Sequence, residues 1–367
     1  MNRARISFTL MLYMMRHLAL RVTASVFAIV MIVAIIDTAE LFRRVSNKEA
    51  ISSLTVLMME AVKLPSTLPS LIPFGLLIGL IISFQKLRSS NEIVIARTNG
   101  LSLLKITTGP IVFVLLLSMM VLVIIDPIAS ATRKRFEQLE ENLFGGNGRN
   151  LTVSTEGIWF RDRNSTINMI IHGEGIDTEN LELIDPLIYT FDGDNKLISR
   201  FYPDSLILQE GYWEIKGGHM LDQSAQVRDV TLTRIRSSLS QRDLTHSNKR
   251  PETIPLFELW GYIDVLEKAG LPSLAHLSYL YYQISTPFVF IGMVLIVSRF
   301  TLSLTERTGW RHVVIFTVTL GLGFYFLKDV LYVMGASGRI HPLIAGFAPA
   351  ILMIIMGMGL LIRAEER

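Results

Sequence analysis

The sequence contains no cysteine and little charge. The absence of cysteine among the 367 residues excludes a disulfide framework, thiolate zinc sites, iron–sulfur clusters and cysteine nucleophiles. Charged residues make up 18% of the chain, against about 25% in a typical globular domain. The net charge of +3 is too small to indicate a nucleic-acid partner.

Sequence motifs for catalysis are also lacking. The chain has no G-x-x-x-x-G-K-[ST], H-E-x-x-H or G-x-S-x-G, and its seven histidines are scattered without metal-ligand spacing. We therefore expect no cofactor, no metal and no catalytic residues in this chain.

Long apolar stretches dominate what is present. Hydrophobic residues make up 50% of the chain and the mean hydropathy is +0.43. Six stretches are long enough to cross a hydrocarbon core, which takes about 20 helical residues: 18–36, 64–85, 106–125, 277–298, 313–333 and 342–362. The first apolar run is too long for a signal peptide, so we expect a retained helix. The sequence predicts an α-helical polytopic membrane protein with six transmembrane helices.

The distribution of lysine and arginine predicts the orientation. These residues are concentrated before the first stretch, between the second and third, between the fourth and fifth, and after the sixth. Because cytoplasmic loops carry the excess of positive charge, we expect both termini in the cytoplasm and the segment from about 127 to 276 on the other side.

That exported segment has a different pattern. Short runs of alternating apolar and polar residues follow one another, separated by turn signals such as 192–195, Asp-Gly-Asp-Asn. Such spacing favours an antiparallel sandwich or β-jelly-roll. We therefore predict transmembrane helices in 1–130, a β-jelly-roll domain in 131–252, and transmembrane helices in 253–367.

The second apolar stretch carries two backbone signals. Gly75 and Gly79 form a G-x-x-x-G pattern, which lets two helix backbones approach closely. Pro65, Pro69 and Pro73 predict that the first half of this helix is kinked or broken.

The segment between the second and third stretches predicts a short helix. Ser90 or Asn91 can cap its N-terminus, Glu92 suits the positive end of the helix dipole, and Gly100 ends it. Ile93, Ala96 and Arg97 would share one face. This helix is either a solvated connector or a docking helix that receives force from a soluble motor.

Several residues are candidates for contact with a lipid-like substrate, each with a plainer alternative. Arg43 and Arg44 either bind phosphate through their paired guanidinium groups or solvate a helix end. Lys328 either meets an anionic group of the substrate or extends to the interface. Four aromatic side chains either line a lipid path or pack between helices: Phe74, Phe324, Tyr325 and Tyr332.

Together these features resemble the lipopolysaccharide export permease family, LptF and LptG. The resemblance covers the order of three spans, a β insert and three spans. It also includes local sequences, namely Glu-Ile-Val-Ile-Ala-Arg-Thr-Asn-Gly-Leu-Ser at 92–102, Glu-Leu-Phe-Arg-Arg at 40–44, Thr-Glu-Gly-Ile-Trp at 155–159, Tyr-Trp-Glu-Ile at 212–215 and Glu-Lys-Ala-Gly-Leu at 267–271. The sequences at 40–44 and 267–271 favour LptG over LptF.

The resemblance implies a function and a set of partners. It implies an inner-membrane permease subunit of an ABC transporter that passes lipopolysaccharide to a periplasmic jelly-roll bridge protein. The implied partners are a second, LptF-like permease, an LptB-like cytoplasmic ATPase dimer that uses ATP and magnesium, and an LptC-like membrane-anchored subunit. The cytoplasmic helix at about 90–100 would be the coupling helix, in which Glu92 contacts the ATPase. Arg43 and Arg44 would lie near the lipid phosphates. Asp37 departs from members that carry a lysine at this place.

Two other classes remain open at this point. A lipoprotein-releasing ABC subunit usually has four spans and its large domain after the first span, whereas this insert follows the third. A non-transporting membrane scaffold or enzyme would need a nucleophile and a base within the spans, and Ser285 and His341 form no motif.

Overall fold

The computed structural model describes residues 2–45, 52–144, 151–154, 157–163, 168–177, 182–192, 196–209, 211–222, 227–229, 231–236, 250–268, 271–302 and 310–365. Its α-helices are α1 (Asn2–Val45), α2 (Ser53–Ser89), α3 (Glu92–Thr98), α4 (Leu103–Met120), α5 (Asp126–Phe144), α6 (Leu256–Lys268), α7 (Leu274–Ile284), α8 (Thr286–Leu302), α9 (Trp310–Ala336) and α10 (Pro342–Glu365). A π-helical turn, Val121–Ile125, joins α4 to α5, and a 3-10 turn covers Pro251–Thr253. Most of the predicted turn at 192–195 and parts of the sequences at 155–159 and 267–271 lie outside the described residues.

The chain divides into two compact units. The first, here called the membrane unit, comprises Met1–Leu139, Glu252–Leu256 and Leu277–Arg367. The second, here called the sheet unit, comprises Glu140–Pro251 and Phe257–His276. A β insert therefore separates two helical parts of one membrane unit.

The predicted spans are confirmed as helices of sufficient length and apolar character. Five are single helical stretches: Met11–Val45, Ser53–Ser89, Leu103–Glu140, Val314–Ala336 and Pro342–Arg363. The sixth is the pair α7 and α8, which is bent by 44° where the two helices meet. Pro287 explains this break, because its ring removes an amide donor and favours the first turn of a new helix.

The three prolines of α2 predicted a kink or a break, and the structure shows no break. The helix continues from Ser53 to Ser89 through all of them. Prolines are tolerated in membrane helices where nearby hydroxyl groups and neighbouring helices satisfy the backbone. Here side chains of neighbouring helices donate to two carbonyls of this stretch, Arg133 to that of Ser66 at 3.1 Å and Tyr325 to that of Ser70 at 3.5 Å.

The close approach predicted from Gly75 and Gly79 is confirmed. A Cβ atom on Gly75 would lie 2.8 Å from the Cα of Val26, and one on Gly79 would lie 2.6 Å from the Cα of Val22. No larger residue fits there, so α1 and α2 pack backbone to backbone. Buried apolar side chains from several helices complete this core, including Leu18, Leu76, Leu80, Phe84, Val294 and Met353.

The sheet unit contains antiparallel strands, as the alternating runs predicted. They are β1 (Leu151–Ser154), β2 (Gly157–Arg163), β3 (Asn168–Gly173), β4 (Gly175–Asp177), β5 (Glu182–Ile184), β6 (Leu187–Phe191), β7 (Leu197–Gln209), β8 (Tyr212–Asp222), β9 (Val227–Asp229) and β10 (Leu232–Arg236). They pair in the order β1-β2-β3-β6-β7-β5-β4, and β8 joins β7, β9 and β10. This nearly closed sheet is consistent with a jelly roll.

Apolar residues alternate with polar residues along the strands, and the apolar ones form the core of the sheet unit. Phe160 pairs with Ile171, and Leu208 pairs with Trp213, so that apolar side chains from neighbouring strands meet on one face. Leu266 of α6 also belongs to this core. The inward face of α6 therefore covers the sheet.

Candidate functional site: an exposed helix and a polar cavity

Helix α3 lies between α2 and α4, where the short helix was predicted. Asn91 occupies the N-cap position in the left-handed conformation, with φ 59°, and its side chain makes no capping bond. The hydroxyl of Ser90 instead donates to Oε1 of Glu92 at 2.8 Å. Gly100, with φ 80°, follows the helix as predicted, since glycine adopts this conformation at little cost.

The two sides of α3 have different surroundings. Ile93 is buried in the core of the membrane unit and Ala96 packs against it, whereas Arg97 is exposed. Val94 and Ile95 are 53% and 59% exposed, and neither was among the predicted contact residues. The sequence does contain a signal for this exposure, because the four consecutive apolar residues at 93–96 cannot all lie on one face of a helix. The result is an anchored helix with an exposed apolar surface.

Arg43 and Arg44 share one carboxylate. Nη2 of Arg43 lies 2.8 Å from Oε2 of Glu40, and Nε of Arg44 lies 3.1 Å from Oε1. Both guanidinium groups remain largely exposed. Asp37, one turn earlier, forms an ion pair with Lys63 of α2 at 2.6 Å. The unusual acidic residue at this end of α1 is thus paired with a lysine from the next helix.

The predicted aromatic residues separate into two places. Phe74 and Tyr325 are in contact, with ring centroids 4.8 Å apart. Tyr332 contacts the ring of Tyr282 at 5.4 Å. Phe324 lies elsewhere, in a shallow apolar groove along α9 that also includes Phe316 and Leu327. Adjacent positions on a helix point in different directions, which separates Phe324 from Tyr325.

A polar cavity of about 240 Å³ lies inside the membrane unit, among α2, α5, α7, α9 and the 3-10 turn. Its lining is rich in hydroxyl groups and charges, and includes Ser66, Ser70, Asp126, Arg133, Glu252, Tyr279, Tyr282, Gln283, Tyr325, Asp329 and Tyr332. Arg133 also donates to the carbonyl of Ser66 at 3.1 Å. Two predicted residues, Tyr325 and Tyr332, therefore line one cavity together with residues that no sequence pattern connected to them.

Asp126 organises one wall of this cavity. Its Oδ2 accepts a hydrogen bond from the backbone amide of Leu256 at 2.8 Å, and its Oδ1 accepts one from Nε2 of Gln283 at 3.0 Å. The side chain is buried. One carboxylate thus ties the end of the third span to the segment that returns to the membrane and to the fourth span.

Lys328 lies beside the cavity and is only 3% exposed. Its Nζ donates to Oγ1 of Thr286 at 3.1 Å and lies 3.6 Å from the centroid of the Tyr282 ring. Such burial excludes the interpretation that Lys328 extends to the interface. The Tyr282 hydroxyl donates to Oδ1 of Asp329 at 3.1 Å. Lys328 therefore contacts the ring of Tyr282, and Asp329 accepts a hydrogen bond from its hydroxyl.

Across the described part of the chain, no group of three or more His, Cys, Asp or Glu side chains is placed to hold a metal ion. The residues of the polar cavity can make polar contacts with a ligand, and their hydrogen bonds connect neighbouring helices.

Comparison with known families identifies the chain. The sequence model described as "Lipopolysaccharide export system permease LptF/LptG" matches residues 12–363, nearly the whole length. A search of curated proteins found no match. The chain therefore belongs to the LptF/LptG family, which one model represents for both branches. It is an integral inner-membrane protein, a membrane subunit of the lipopolysaccharide export system rather than a catalytic enzyme.

Proposed function

We propose that this family member is one of two permease subunits of an ATP-driven transporter that extracts lipopolysaccharide from the inner membrane and passes it to a periplasmic bridge. The observation that carries the proposal is the family match over 12–363. That match spans the helices before the β insert, the insert itself and the helices after it.

The proposed orientation places α3 and both termini in the cytoplasm and the sheet unit in the periplasm. It is supported by the concentration of lysine and arginine in the short segments on the α3 side. In this proposal 1–130 and 253–367 form the membrane part, and 131–252 forms the periplasmic jelly roll.

Helix α3 is proposed to dock the ATPase. Ile93 and Ala96 fix the helix to the membrane unit, Gly100 ends it, and Glu92 and Arg97 carry charge at its two ends. The exposed side chains of Val94 and Ile95 supply the apolar contact that a motor surface would cover. ATP and magnesium belong to that partner, and this chain holds no cofactor.

The energetics of lipid extraction support a separate motor. Each methylene removed from the bilayer costs about 0.8 kcal/mol if it reaches water, and a lipid with several acyl chains has many. A conduit must therefore shelter the chains while hydrolysis drives the movement.

The lipid path is proposed to run along the candidate residues. Arg43 and Arg44 would contact phosphate groups. Phe74, Tyr325, Tyr332 and Lys328, around the polar cavity, and Phe324, in the α9 groove, would lie along the route.

The proposed partners are a second, LptF-like permease, an LptB-like ATPase dimer, an LptC-like membrane-anchored subunit and the jelly-roll bridge protein. Copurification from the native membrane tests this assembly. We expect the chain to bring down the second permease, the ATPase and lipopolysaccharide.

Variants of α3 test the docking role. Glu92→Lys and Ile95→Asp should reduce the amount of ATPase that copurifies and slow lipopolysaccharide release from reconstituted vesicles. Thr98→Ala is the matched control, since Thr98 is exposed on the same helix and should leave both measurements unchanged. Normal ATPase recovery and normal release with both charge variants would overturn the docking role.

A further inference from the structure

The outward face of α6 carries two large aromatic side chains that nothing in the described structure covers. Phe257 and Trp260 are 66% and 65% exposed, and they lie three residues apart, on one side of the helix. The opposite side is buried, with Ile263 and Leu266 facing inward. α6 is thus apolar on both sides over its first turns.

The start of α6 is fixed at the end of a membrane span. Its first residue, Leu256, donates its backbone amide to Asp126, which directly follows the apolar stretch that ends at Ile125. Phe257 is the next residue, and Trp260 lies four residues beyond Leu256, a rise of about 6 Å. Both rings are therefore tethered within about one helical turn of Leu256.

We infer that the first turn of α6 is interfacial, with Phe257 and Trp260 inserted among the lipid headgroups. Aromatic rings favour this boundary, where one part of the ring is apolar and the other meets water. The helix carries Glu258, Asp264 and Glu267 against the single charge of Lys268. Its contact therefore rests on apolar insertion, not on attraction to anionic lipids, and added salt does not release it. This inference goes beyond the proposed function and holds whichever substrate the spans carry.

A spin label on Gly261 tests the inference. Gly261 is exposed next to Trp260, and a Cβ there would meet no atom within 4 Å. Because the chain has no cysteine, Gly261→Cys gives a single labelling site and leaves both aromatic rings in place. The labelled full-length chain is reconstituted into vesicles of phosphatidylethanolamine and phosphatidylglycerol, and collision rates with oxygen and with a water-soluble nickel chelate are measured.

We expect oxygen to collide with the label several-fold more effectively, relative to the chelate, than with a control label at Val227→Cys. Val227 is an exposed apolar residue of β9. Adding Phe257→Ser and Trp260→Ser to Gly261→Cys should move the label towards the control values, while high salt should not. A label as accessible to the chelate as that at Val227 would overturn the inference. A label shielded from both reagents would also overturn it, in favour of a protein partner on this face.

Discussion

The ammonium nitrogen of Lys328 lies 3.6 Å from the centre of the Tyr282 ring. Tyr282 belongs to α7, just before the bend of the fourth span, and Lys328 also donates to Thr286, the first residue of α8. One buried cation on α9 therefore contacts both sides of the bend. A desolvated cation–π contact is worth about 2 kcal/mol, so this contact helps to hold the two half-helices in the bent arrangement.

Replacement of Lys328 by methionine should separate folding from transport. Methionine keeps the side-chain length without a buried charge, so thermal stability should stay close to that of the unmodified protein or rise. Lipopolysaccharide release should fall, because the connection across the bend is lost. Thermal unfolding and release from reconstituted vesicles check this. A Lys328→Met protein that transports at the normal rate would show that the contact is only structural.

The packing of α1 against α2 should not tolerate a methyl group at position 79. Since a Cβ on Gly79 would lie 2.6 Å from the Cα of Val22, we expect Gly79→Ala to cost about 1–3 kcal/mol of stability by overpacking. Gly359→Ala is the matched control, because a Cβ there meets nothing within 4 Å. That control should be neutral or stabilising by up to about 1 kcal/mol. Thermal unfolding in detergent compares the two, and equal melting temperatures would contradict the close approach.

Loss of the Asp126 carboxylate should weaken the link between the third and fourth spans. Asp126→Ala leaves the Leu256 amide and the Gln283 side chain without their acceptor, at about 1–3 kcal/mol for each orphaned donor. Asp126→Asn keeps one carbonyl oxygen and should lose less. Thermal unfolding, together with proteolysis near residues 250–256, measures the effect. An Asp126→Ala protein with unchanged stability and protease resistance would refute this role.

The carboxylate of Glu40 should compete with lipid phosphate for Arg43 and Arg44. Reversing both charges, Arg43→Glu with Arg44→Glu, should reduce photocrosslinking between this end of α1 and lipopolysaccharide. Glu40→Gln should increase it, since both guanidinium groups lose the carboxylate that they share. Crosslinking that changes in neither variant would leave only the solvation of the helix end as their role.

Local patterns predicted the features that depend on one helix or strand at a time. The apolar stretches predicted the spans, because the bilayer sets a length that each helix must meet alone. Gly75 and Gly79 predicted a close helix contact, though not that Val22 and Val26 would face them. The prolines of α2 predicted a kink or a break, and the helix continues through them because side chains of neighbouring helices donate to carbonyls of this stretch.

The polar cavity was not predictable in this way. Asp126 directly follows the third predicted span, yet its partners are 130 and 157 positions away along the chain. Lys328 and Tyr282 are likewise on different helices. No spacing rule relates such residues, since their distance is set by how the helices pack.

The sequence by itself determined the membrane class, the spans, the β insert and the family, because each follows from the order and periodicity of residues along the chain. The tertiary structure decided which side chains meet: the shared carboxylate of Glu40, the buried contact of Lys328, the bend at Ser285 and the exposed faces of α3 and α6. The physical reason is that burial and hydrogen bonding depend on packing between elements, and a linear pattern does not specify that packing.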